Sequence, residues 1–214
     1  MSYRSAESLQ EAARAEWARI QALPQPLKPR DRLAIPMQEM PAQEPLVRAR
    51  NMQEVASGYF EEQARVEAAR CLQCKNAPCV QGCPVRIRIP QFIAAIAEGD
   101  MAKAIAIIKE TSLLPAVCGR VCPQETQCQE PCTVGKSLKS VEKAVSIGRL
   151  ERYVADWERA QGAAAPPVVV PATGKKVAVV GSGPAGITVA AEVRRAGHEV
   201  VLFAAFHKAG GVLV

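Results

Sequence analysis

All eight cysteines of this 214-residue chain fall in two short runs. Cys71, Cys74, Cys79 and Cys83 read C-x2-C-x4-C-x3-C-P. Cys118, Cys122, Cys128 and Cys132 read C-x3-C-P-x4-C-x3-C. Thiols this closely spaced, four at a time, match the needs of two metal centres, because a soft multinuclear site draws several thiolates from one stretch of backbone.

The first run is close to the bacterial ferredoxin pattern C-x2-C-x2-C-x3-C-P, in which the fourth cysteine serves the other cluster. The spacing predicts two iron–sulfur clusters of the [4Fe–4S] type. The competing reading is a pair of four-thiolate zinc sites, but zinc modules show two separated C-x2–4-C pairs rather than runs of four. Disulfides are disfavoured by the expected compartment. No apolar run approaches the roughly 18 residues of a membrane span, and Met1–Gln10 is polar with no signal-type apolar region. A cytoplasmic protein with reduced thiols is expected. The formal net charge is +6, which raises nucleic-acid binding. That class is set aside because basic and acidic residues are interleaved and no basic block forms. Neither nucleic acid nor membrane is expected as a partner.

Residues 1–50 read as an N-terminal helix and an extended arm. Ser8 and Glu11 make a capping-box pattern, Leu9, Ala13, Trp17 and Ile20 line one helical face, and Pro24, Pro26 and Pro29 start an extended stretch through Pro45. Residues 51–160 read as an all-helical cluster domain. Asn51 and Glu54 suggest a second cap, before a helix that delivers Cys71. Phe92, Ile93 and Ile96 face Ala104, Ile105 and Ile108 across a hairpin, with Gly99 ending one helix and Asp100 capping the next. A long helix is expected over 141–159. Residues 161–174 form a linker rich in Ala, Gly and Pro at its start. Residues 175–214 then read strand, glycine turn, helix, strand.

In that last segment Gly181-Ser182-Gly183-Pro184-Ala185-Gly186 follows an apolar β run and opens a helix, the G-x-G-x-x-G dinucleotide fingerprint. Gly181 permits the tight turn, Gly183 admits a pyrophosphate, and Gly186 allows helix and strand to pack closely. The acidic residue expected near 204 is absent; Ala204 stands there. Glu151 lies within the apolar stripe Ile147, Leu150, Val154, Trp157 of the long helix, about 40° from Ile147 at the ~3.6-residue period. A carboxylate there needs a partner: iron, or a basic residue from elsewhere. Lys75, Arg86, Arg88 and Arg120 flank cluster cysteines and read either as solvated charges or as modulators of the clusters or attractors of an acidic partner. His198 and His207 lack ligand spacing.

Together these motifs resemble the small (beta) subunit of NADPH-dependent glutamate synthase. That family includes the large subunit of NADH-dependent ferredoxin:NADP oxidoreductase and the N-terminal part of dihydropyrimidine dehydrogenase. The resemblance rests on RCLQCKNAPCVQGCPVR (70–86), CGRVCPQ (118–124), VSIGRLERYVADWE (145–158), VAVVGSGPAGITVAAE (177–192) and KAGGVLV (208–214). It implies an α-helical ferredoxin-like two-cluster domain, followed by the first βαβ unit of a Rossmann-type (α/β) FAD-binding domain. It also implies an oxidoreductase subunit passing electrons from NAD(P)H through FAD and two [4Fe–4S] clusters to a large catalytic subunit of the glutamate synthase alpha type, or to a ferredoxin or flavoprotein partner. By the same resemblance Cys71, Cys74, Cys79 and Cys132 hold one cluster. Cys83, Cys122 and Cys128 hold the other with Glu151, and Cys118 is the alternative to Glu151. Ala204 departs from the family's glutamate, and the sequence stops after the second strand, so a truncated or split subunit is expected. A flavin-free iron–sulfur module and a zinc-stapled scaffold are the other readings.

Overall fold

Apolar stripes at helical spacing dominate the first three quarters of the chain, and the computed structural model, which describes residues 3–162 and 170–214, is helical there. The chain divides into two units, residues 1–162 and 163–214. Residues 163–169, half of the expected linker, lie outside the described residues.

In the first unit α1 (Ala6–Gln21) packs on α4 (Glu61–Ala69) through Leu9, Ala13 and Ile20. Its cap is Ser5, whose hydroxyl accepts from the Ser8 N–H, so the helix starts one turn before the Ser8 pattern suggests. The prolines that follow do not leave the arm wholly extended. Pro29 and Pro45 occupy first-turn positions of two short helices, α2 (Pro29–Ala34) and α3 (Pro45–Arg48), where a missing N–H costs nothing. Asn51 caps no helix; its side chain accepts from the Gln53 N–H in a turn. Helix α4 begins only at Glu61, with Gln63 accepting from the Phe60 N–H.

After the short α5 (Pro78–Gly82), helices α6 (Ile89–Glu98) and α7 (Met101–Lys109) form the expected hairpin. Gly99 takes the left-handed conformation at φ 88° that ends α6, and the Asp100 carboxylate accepts from the Lys103 N–H to start α7. Phe92, Ile93, Ile96, Ala104 and Ile108 are fully or almost fully buried between them. The second cysteine run starts in α8 (Pro115–Val121) and ends at Cys132, directly before α9 (Thr133–Ser137), and α10 (Ile147–Ala160) closes the core with Ile147, Leu150 and Val154.

The expected long helix is divided. A 3-10 turn over Val141–Lys143 is followed by a break before α10. A buried ion pair produces that break. Glu67 and Arg70 on and after α4 lie 2.5 Å apart with side chains 0 % and 2 % exposed. Glu67 accepts from the Ser146 N–H at 2.9 Å and the Gln38 N–H at 2.8 Å. Arg70 donates to the carbonyls of Lys143 and Ala144. Backbone groups that a continuous helix would use internally are drawn off by these two side chains.

In the second unit β1 (Lys176–Val180) and β2 (Glu199–Phe203) form a parallel pair in register from Lys176 opposite Glu199 to Val180 opposite Phe203, with α11 (Pro184–Arg195) as the crossover. Thr173, placed in the linker by composition, donates its N–H to Gly197 O and so is tied to this unit.

Candidate metal centres

The elements of the first unit bring the cysteines into two groups that do not follow the two runs. Cys71, Cys74, Cys79 and Cys132 line one small cavity. Its remaining wall is apolar, including Ile89, Ile93, Val134, Val145 and Ile147. Cys71 leaves the end of α4, Cys79 sits in α5, and Cys132 is the residue before α9. Thr133 on α9 lies against Cys74, its hydroxyl 3.3 Å from the sulfur. Arg32 of α2 donates to the carbonyls of Ala69 and Cys71 at 2.9 Å each, which pins the backbone where it enters the site.

The second group is Cys83, Cys118, Cys122, Cys128 and Glu151. Cys118 and Cys122 stand one helical turn apart, the Cys122 N–H donating to the Cys118 carbonyl at 3.1 Å, and Cys118, Cys122 and Cys128 each lie within electrostatic reach of Cys83 and Glu151. Two glycines let the supporting helices approach. A Cβ on Gly119 of α8 would lie 2.7 Å from the Arg152 nitrogen and 2.8 Å from the Gly148 oxygen of α10. A Cβ on Gly148 would collide with the Gln124 side chain, which accepts from the Gly148 N–H. Backbone atoms leave no room for a side chain at Gly119, so α8 and the Cys122 that follows it lie close to α10, the helix that carries Glu151. Arg120 and Arg152 lock the contact by sharing Glu54 and Asp156.

Glu151 is 7 % exposed, and its Oε1 has no hydrogen-bond partner. The alternative of a salt bridge to a distant base is not realised among the described residues. Burial pushes its carboxyl up to about 8. The thiols behave alike: burial first, and neighbouring thiols second, raise Cys71 to about 11 and Cys79, Cys122 and Cys128 to about 12. Acids that crowd together and resist ionisation need a positive centre to become anions, and metal ligation provides one. Among the described residues no three His, Cys, Asp or Glu side chains gather closely enough to hold a single ion. A cube of iron and sulfide, being larger, sets its ligands farther apart. The donor chemistry, the four-cysteine cavity and the orphaned carboxylate oxygen fit such clusters. The two groups also adjoin, since Cys79 of the first lies within electrostatic reach of Cys128 of the second.

The remaining charges resolve simply. Arg88 pairs with Glu110, Arg120 with Glu54 and Asp156, while Lys75 and Arg86 are exposed. His198 touches the Thr173 hydroxyl and His207 is exposed. Sequence reasoning missed the Glu67–Arg70 pair, although Arg70 directly precedes Cys71; two opposite charges three residues apart on a helix are ordinarily a solvated pair.

In the second unit Gly181 has φ 100°, and a Cβ on Gly186 would lie 1.8 Å from the Gly181 oxygen. Both positions require glycine. Gly183 begins α11 with nothing within 4 Å of where its Cβ would be. Ser182 is buried and its carbonyl accepts from the Gly210 N–H at 2.9 Å; Pro184 and Ala185 start α11. Ala204 is exposed directly after β2.

Comparison with known proteins agrees with this chemistry. The family model of dihydropyrimidine dehydrogenase domain II, 4Fe-4S cluster, matches residues 48–163. The chain is 38% identical over 174 residues to the glutamate synthase [NADPH] small chain of Escherichia coli, covering 81% of this chain and 36% of that protein. It is 34% identical over 178 residues to that of Azospirillum brasilense, covering 83% and 36%. It is 35% identical over 164 residues to the NAD-dependent dihydropyrimidine dehydrogenase subunit PreT of Salmonella typhimurium, covering 76% and 38%. The chain thus spans little more than a third of the length of these relatives. No helix among the described residues is long and apolar enough to cross a membrane.

Proposed function

The chain belongs to the dihydropyrimidine dehydrogenase domain II, 4Fe-4S cluster family, and on that premise we propose that it is the electron-transfer part of an NAD(P)H-dependent FAD/iron–sulfur oxidoreductase, most like the glutamate synthase small chain. Cys71, Cys74, Cys79 and Cys132 hold one [4Fe–4S] cluster. Cys83, Cys122, Cys128 and Glu151 hold the second. The observation that carries this reading is the gathering of Cys132 with three cysteines of the other run around one apolar cavity. Clusters bound at the two sites accept and release single electrons. The chain's own residues supply the surroundings: apolar side chains keep water from the first site, and the α8–α10 contact holds Glu151 against the second set of thiols.

The strand–helix–strand unit is, in this reading, the first βαβ unit of a Rossmann-type FAD-binding domain. Gly181, Ser182, Gly183, Pro184, Ala185 and Gly186 receive the pyrophosphate at the start of α11, where free N–H groups and the helix dipole favour phosphate. The partner is a larger catalytic subunit of the glutamate synthase alpha type; a ferredoxin or flavoprotein is the alternative. A flavin-free electron-transfer module is the second reading. Ala204 favours it, because no carboxylate stands at the end of β2 to hold a ribose.

Adjacent clusters that relay electrons should also interact magnetically. Reduced, anaerobically prepared protein is expected to give two overlapping EPR signals broadened by spin–spin coupling. A single signal, or two uncoupled ones, would count against a relay. Flavin released by heat from the same preparation favours the flavoenzyme; its absence favours the bare module.

A further inference from the structure

Five donors surround the second site, and a four-iron cluster takes four. Cys83, Cys122 and Cys128 account for three. The remaining place has two claimants on facing helices, Glu151 on α10 and Cys118 on α8. Glu151, 7 % exposed, carries an oxygen with no hydrogen-bond partner and lies within electrostatic reach of Cys118, Cys122 and Cys128. Cys118 is partly exposed and within electrostatic reach of both Glu151 and Cys83. Where Gly119 meets α10 the backbones leave no room for a side chain, so α8 and α10 are in close contact next to these groups.

We propose that Cys118 is an exchangeable second ligand for the corner of the cluster that Glu151 holds. The inference rests on the reading of Glu151 as the resting fourth ligand. Cys118 lies one helical turn before the ligand Cys122, the Cys122 N–H donating to the Cys118 carbonyl at 3.1 Å. Rotation about its side-chain bonds, with no backbone movement, redirects its sulfur. In the exchange an iron–carboxylate bond breaks and an iron–thiolate bond forms. The thiol proton passes to the released Glu151 carboxylate, so no oxidant or reductant is consumed. Sulfur is the better match for iron in such a cluster and oxygen the poorer one. The corner is consequently replaceable, whereas the three-cysteine face is not.

Three variants prepared anaerobically test this: Glu151→Ala, Cys118→Ala and the double variant. Iron, acid-labile sulfide, EPR and iodoacetamide labelling are read on each. Glu151→Ala is expected to keep about eight irons per chain, with one EPR signal altered and Cys118 now protected from the alkylating reagent. Cys118→Ala should also keep about eight, with both EPR signals as in the parent protein. The double variant should fall to about four. A fall to about four in Glu151→Ala alone would overturn the exchange and leave Glu151 as sole ligand. Iron loss in Cys118→Ala alone would overturn the Glu151 assignment itself. A double variant that keeps about eight would overturn both. In parent protein Cys118 should be the thiol that iodoacetamide labels; unchanged labelling in Glu151→Ala would contradict the exchange.

Discussion

Cys132→Ala is expected to abolish the same EPR signal as Cys74→Ala, and Cys83→Ala the same signal as Cys128→Ala, each variant retaining about four of eight irons. The expectation follows from placement. Cys132 belongs by sequence to the second run, but the residues at the start of α9 set it beside Cys71, Cys74 and Cys79. Cys83 leaves its own run in the opposite sense and lies within reach of Cys118, Cys122 and Cys128. In the proposed assignment each cluster would therefore be held by both stretches of chain, and each would link α4–α5 to α8–α9. Loss of one thiol from a four-ligand set removes the charge and the bond that hold that corner, while the other set keeps all its donors. Loss of the Cys74 signal without the Cys132 signal would show that the ligands are divided run by run.

Glu67→Ala should lower stability by about 3–5 kcal/mol, the range for breaking a buried ion pair by removing one partner. The pair has almost no contact with water. Glu67 holds three donors at once: Arg70, the Ser146 N–H and the Gln38 N–H. Its removal strands a guanidinium whose Nε already lacks a partner, together with two buried N–H groups. Glu67→Gln keeps an acceptor and should cost less. The change also reaches the clusters, because Arg70 precedes Cys71 and Ser146 precedes α10. Denaturation midpoints on the parent and both variants give the answer; a difference below about 1 kcal/mol for Glu67→Ala would mean that the pair is not the link between α4 and α10.

Where local chemistry decides, the sequence is readable. The α6–α7 hairpin follows from two apolar stripes separated by Gly99 and Asp100, and each of these residues acts at its own position. The strand–turn–helix around Gly181 and Gly186 is legible because no other residue fits there. Expectations failed where a distant side chain intervenes. The helix expected over 141–159 is interrupted because Glu67 and Arg70, more than seventy residues earlier, take its backbone groups. Asn51 and Glu54 are not a cap because Arg120 and Arg152 engage Glu54. Spacing could identify Glu151 as a carboxylate in need of a partner. It could not place that carboxylate beside Cys118 and Cys122, which depends on the approach of Gly119 to α10.

Iron and acid-labile sulfide measured on anaerobically purified protein test the central claim, that thiols from two stretches of chain and one buried carboxylate assemble around two cubic clusters. About eight of each per chain is the expected result. Protein that carries neither, or that carries zinc in their place, would contradict it.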